Sequence, residues 1–208
     1  MGLLDSLKKA VASDVKQSVS ASAREAMNDL GKGMKKKIHD AVTCKSEKIT
    51  FQKLPTSLEE MQALPECKLD TPFKTAALTL AVLCNYEKDP EATFAMLDYL
   101  KGPDDVSTYE KQFFYDCLNG KTYKPFSFFQ GATPKNGYKP TTPYTITVSD
   151  NEYSYAEENW ATMYVESSGS DLKRSLKLRK KPSTGQWFLR DIQCLTDIRI
   201  PEKEDPWA

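Results

Sequence analysis

Apolar residues at Leu4, Leu7, Val11, Val15, Val19, Ala23, Ala26, Leu30, Met34 and Ile38 follow one another at gaps of three or four. Such spacing predicts one apolar stripe along a long N-terminal amphipathic helix. No proline or glycine interrupts residues 3–30, and Gly31 and Gly33 then weaken the pattern, each by about 1 kcal/mol relative to alanine. The steps average slightly more than about 3.6 residues, so the stripe drifts around the helix and argues against an ordinary left-handed coiled-coil dimer.

Beyond this arm the pattern changes character. Lys48-Ile49-Thr50-Phe51 predicts a short strand within a linker spanning residues 40–54, and a globular domain is expected over 55–208. Ser57 with Glu60 forms a capping box for a short helix. Asp70-Thr71-Pro72 opens the strongest helix of the domain, apolar on most sides through Leu83 and Cys84 and therefore central. Asp89-Pro90 starts another, which Gly102-Pro103 stops. Ser107 with Glu110 caps a third, which carries Phe113, Phe114 and Leu118 and ends near Gly120.

Strand patterns follow at 143–149, 160–166, 175–180 and 187–195. The turn sequences Ser167-Ser168-Gly169-Ser170-Asp171 and Pro182-Ser183-Thr184-Gly185 separate successive strands. The expected fold class is α+β: helices packed on one face of an antiparallel four-stranded meander, preceded by the long N-terminal helix.

Composition narrows the function classes. The 208 residues include 29 basic and 29 acidic side chains, a balance that argues against a protein built to grip nucleic acid. The balance is uneven, since residues 1–40 hold eight lysines and arginines against five acids, a net of +3. No apolar run approaches the roughly 20 residues of a membrane span, and a cytoplasmic location is expected. Five scattered cysteines fit reduced thiols better than a disulfide framework. Met1-Gly2-Leu3-Leu4-Asp5-Ser6 also satisfies the short N-myristoylation pattern, which has meaning only in a cell that owns the transferase.

Candidate chemistry is sparse. The single histidine, His39, stands at the end of the arm, so no histidine-based triad is expected within the domain. No Cys-x-x-Cys pair, metal-ligand spacing or phosphate-cradling glycine loop is present, and neither metal nor cofactor is expected. The paired acids Asp104-Asp105 and Glu157-Glu158 read either as a cation or acid–base site or as solvated loops. Ser167 to Asp171 reads either as a polar ligand loop or as a turn that hydrogen-bonds itself. The segment 123–138 carries Tyr123, Phe126, Phe128, Phe129 and Tyr138, which either wall a ligand pocket or plug the open end of the sheet.

The domain resembles a family of uncharacterised bacterial proteins carrying a domain of unknown function. The resembling residues are Leu64-Pro65, Leu69-Asp70-Thr71-Pro72-Phe73-Lys74-Thr75-Ala76-Ala77, Gly131-Ala132-Thr133-Pro134 with Tyr138, Pro143-Tyr144-Thr145-Ile146-Thr147-Val148, Ser167-Ser168-Gly169-Ser170-Asp171, Trp187 and Asp205-Pro206-Trp207. They span most of residues 54–208. The resemblance implies a bacterial, intracellular origin and supplies no catalytic residues. Met1-Gly2-Leu3-Leu4-Asp5-Ser6-Leu7 is similar to the N-terminal membrane-surface helices of some bacterial envelope-stress proteins.

The expected function is that of a non-enzymatic cytoplasmic adaptor, peripheral at the inner face of the cell membrane when its arm is engaged. Leu3, Leu4, Leu7, Val11, Val15, Val19, Leu30, Met34 and Ile38 would meet lipid or a partner helix, a second copy of the chain included. Lys8, Lys9, Lys35, Lys36 and Lys37 would approach anionic lipid. The alternative is a small-molecule-binding or enzymatic α+β domain with its pocket near the aromatic segment.

Overall fold

The computed structural model describes residues 44–207. Ser46–Phe51 forms β1, and five helices follow before the next strand: α1 (Leu58–Gln62), α2 (Pro72–Leu83), α3 (Pro90–Lys101), α4 (Thr108–Leu118) and α5 (Tyr123–Phe126). Then come β2 (Tyr144–Ser149), β3 (Trp160–Val165), β4 (Arg174–Lys180) and β5 (Trp187–Ile192). The local signals in the sequence explain the helix starts. Thr71, Asp89 and Ser107 each accept a hydrogen bond from the backbone N–H three residues on, and Pro72 and Pro90 occupy first helical positions.

The sheet has five strands in the order β1-β2-β3-β4-β5, every pair antiparallel. This corrects the expected four-stranded meander. The strand foreseen within the 40–54 linker is an edge strand, paired with β2 along its whole length from Ser46↔Ser149 to Phe51↔Tyr144. Its alternation supplies the reason: Ile49 and Phe51 turn the same way and are buried, while Lys48 and Thr50 are exposed. The expected long N-terminal helix lies outside the described residues. The stripe from Leu4 to Ile38, the candidate contacts Leu3, Leu7, Val11, Val15, Val19, Leu30 and Met34, and the lysines Lys8, Lys9, Lys35, Lys36 and Lys37 lie outside the described residues.

α2 is the hub. All of its residues except Lys74 are buried, and it packs against every strand of the sheet. An interior helix of this kind must satisfy its own polar groups. Thr79 Oγ1 donates to Thr75 O at 2.8 Å, and Thr75 Oγ1 donates across to Trp187 O at 3.0 Å. Trp187 N in turn donates to Leu69 O at 2.8 Å, so the start of the edge strand β5 is tied to the chain that leads into α2.

β2 and β3 pair only at Val148↔Val165 and Ser149↔Tyr164. The first half of β2 instead borders the aromatic segment, where Phe129 bridges to Ile146 and Gln130 N donates to Thr145 O at 2.8 Å. Among the described residues no helix is long and apolar enough to cross a membrane.

Candidate functional site

The aromatic segment is largely absorbed by the core. Tyr138 is 1% exposed, stacks on Tyr123 with ring centroids 5.4 Å apart, and donates its hydroxyl proton to Arg199 O at 2.7 Å. Phe128 and Phe129 are buried, and Phe126 is half-buried against the same core. Of these five aromatics, Phe128 and Phe129 border a shallow hollow of about 320 Å³ with Ser127, Ser167 and Ser168, whereas Tyr123, Phe126 and Tyr138 do not line it.

The hydroxyls beside that hollow are spent on the fold. Ser127 Oγ donates to Lys124 O at 2.6 Å, and Ser167 Oγ donates to Ser127 Oγ at 2.7 Å. Gly169 N donates to Ser167 Oγ at 3.1 Å, and Arg199 N donates to Gly169 O at 2.9 Å. A Cβ on Gly169 would lie 2.3 Å from the Tyr138 hydroxyl. The Ser167–Asp171 turn, the aromatic segment and the C-terminal stretch are thus one interlocked junction, with Asp171 paired to Arg199 at its surface.

The other sequence candidates are dispersed. Asp104 pairs with Arg190, and Glu157 lies 3.6 Å from Lys177. Among the described residues no three His, Cys, Asp or Glu side chains are grouped as metal ligands. All five cysteines are free, and burial pushes the thiols of Cys67, Cys84, Cys117 and Cys194 up, which keeps them protonated and weakly nucleophilic.

A different concavity lies where α3, α4 and β5 meet. It encloses about 340 Å³ and is walled by Leu97, Val106, Phe113, Phe114, Leu189 and Ile192. That volume is at the low end of the range, about 300–1,000 Å³, typical of small-molecule sites. Its shape follows from local chemistry. Gly102, at φ 75°, ends α3 in a left-handed conformation that few other residues tolerate. Asp98 accepts from Val106 N at 2.6 Å, which folds the connection back, and the Ser107–Glu110 capping box starts α4.

The polar part of this cleft is pre-set. Lys101 is 7% exposed and pairs with Glu110, whose other carboxylate oxygen accepts from Ser107 N at 2.9 Å and Ser107 Oγ at 2.7 Å. Burial alone would push the Glu110 carboxyl up, but the Lys101 and Ser107 hydrogen bonds outweigh it and hold it below the ordinary glutamate value. Arg190 pairs with Asp104 through Nη1, while its Nε, cut off from water, donates to nothing. A buried donor without a partner costs about 1–3 kcal/mol. Arg174 Nε is in the same state, with that guanidinium held by Asp197.

The sequence gives no local sign of this cleft, because its walls are apolar positions of the kind any helix or strand packs into a core. The available signal was the charge set Lys101, Glu110 and Arg190 beside Phe113 and Phe114, which only the packing of α3 and α4 on β5 brings together.

Neither curated proteins nor solved structures provide a match for the chain. A family model does: residues 53–202 match the one described as Domain of unknown function (DUF6935), which takes in α1 to α5, β2 to β5 and the whole α3–α4–β5 cleft, and the chain belongs to that family.

Proposed function

We propose that this domain is a non-enzymatic binding module whose site is the α3–α4–β5 cleft, and that it takes up an apolar ligand there. The observation carrying this reading is the contrast within the cleft: apolar walls beside an ion pair fixed by the capping box and the Arg190 side chain. Convergent polar groups at the edge of an apolar hollow are the arrangement expected of a ligand site.

The test uses decanol, a neutral apolar probe, titrated into isotope-labelled protein and followed by NMR. Shifts at Leu97, Val106, Phe114 and Leu189, lost when Thr196→Trp fills the exposed mouth of the cleft, are the expected result. Shifts confined to the aromatic segment 123–138 would move the site there and end this reading.

A second reading concerns residues 1–39 and is favoured by their spacing of apolar positions from Leu4 to Ile38 and by their excess of lysine. In it they attach the domain to an anionic membrane surface or to a partner helix in a bacterial cytoplasm. Flotation with anionic vesicles at low and high salt tests it. Leu4→Asp with Leu7→Asp should abolish vesicle binding, and binding that survives those changes removes the lipid mechanism.

A further inference from the structure

We propose that the ligand of the cleft is a single-chain anionic amphiphile, with its apolar chain in the cleft and its carboxylate or phosphate head in a second hollow on the far side of Arg190. This rests on the α3–α4–β5 cleft being the binding site.

The second hollow, of about 300 Å³, lies at the β4–β5 end of the sheet. It is lined by Arg179, Lys180, Lys181 and Arg190 around Phe188, with no acidic residue in its wall. Arg190 lines both hollows, and the Gly102-Pro103-Asp104 turn runs between them, with Lys101 on the cleft side and Pro103 on the other. The turn lies tight against the strand: a Cβ on Gly102 would sit 2.6 Å from the Phe188 ring. The two hollows therefore share one lining residue, Arg190.

Of the four basic residues that line the second hollow, only Arg190 has a carboxylate partner among the described residues. Among the described residues no carboxylate pairs with Arg179, Lys180 or Lys181. Arg179 instead lies over the Trp160 ring at 5.3 Å, and Lys180 over the Trp187 ring at 5.8 Å, contacts that steady a cation without neutralising it. Asp104 holds Nη1 of the Arg190 guanidinium. Guanidinium and ammonium groups bind carboxylate and phosphate oxygens through charge-assisted hydrogen bonds. A purely apolar ligand would leave Arg179, Lys180 and Lys181 unused. A bare anion would leave the apolar walls unused.

Calorimetry on the full chain with decanoate, decyl phosphate, decanol and inorganic phosphate decides the matter. Decanoate or decyl phosphate should bind about tenfold or more tightly than decanol, the scale of one charge-assisted hydrogen bond. High salt should shrink that advantage. The exposed Lys181→Gln and Arg179→Gln should weaken the anionic probes severalfold and leave decanol unchanged, which guards against a variant that simply misfolds. Equal affinity for decanol and decanoate overturns this inference while the cleft stands as an apolar site. Inorganic phosphate binding as tightly as decyl phosphate overturns it too, leaving an anion site without a chain. Binding of none of the four removes the cleft reading and this inference together.

Discussion

The aromatic segment 123–138 and the α3–α4–β5 cleft both gather aromatic side chains against the sheet, yet they treat their polar groups differently. In the first, Tyr138, Ser127 and Ser167 all bond within the fold, and Gly169 clears the space that the Tyr138 hydroxyl needs. In the second, the aromatic wall of Phe113 and Phe114 faces a hollow edged by the Lys101–Glu110 pair and by Arg190. A region whose polar groups are met within the chain is fold; apolar walls around a hollow with charged groups at its edge are equipped for something outside the chain.

That contrast is sharpest under substitution at the junction. Gly169→Ala drives a methyl group into the Tyr138 hydroxyl and should cost about 2–3 kcal/mol in urea unfolding, as overpacking does. Decanol binding by the folded fraction should be unchanged. Lys101→Met, in the cleft, removes a buried cation but leaves Glu110 its Ser107 bonds and partial exposure. Its cost should be smaller, about 1–2 kcal/mol, well below that of breaking a fully buried pair, and probe binding should change with it.

Two further substitutions have smaller effects. Tyr138→Phe removes the hydrogen bond to Arg199 O, and Ser107→Ala removes the cap of α4; each should cost about 1 kcal/mol, read from the unfolding midpoint. They separate the regions because only Ser107→Ala should loosen probe binding. The smallest effect is pH-dependent. The Glu110 carboxyl is held below its ordinary value in the folded protein, so its contribution is complete above the unfolded glutamate pKa of about 4.3 and is lost as pH falls through the lower folded value. The stability gap between wild type and Glu110→Gln should be open near neutrality and should close in acid. A gap that widened in acid would contradict the pairing.

The same division explains what the sequence could disclose. Caps are local, and Thr71, Asp89 and Ser107 stand within three residues of the groups they satisfy, so helix starts were legible. The pairing of Ser46–Phe51 with Tyr144–Ser149 was not, because its partner lies across the entire helical segment and nothing in either strand names the other. The aromatic segment drew attention by composition, which reports the presence of rings and not whether a cavity remains beside them. Arg190 gave no local sign at all. Its meaning depends on a turn after α3 and on the end of β4, elements that meet only in the finished fold.

β1 carries one practical consequence. The family match begins at residue 53, just after this strand ends at Phe51. A fragment cut at that boundary would strip the outer row from the sheet and leave Tyr144–Ser149 with bare N–H and C=O groups along its full length. Such an unpaired margin is a template for other chains, so the excised domain should clump where the longer protein stays dispersed.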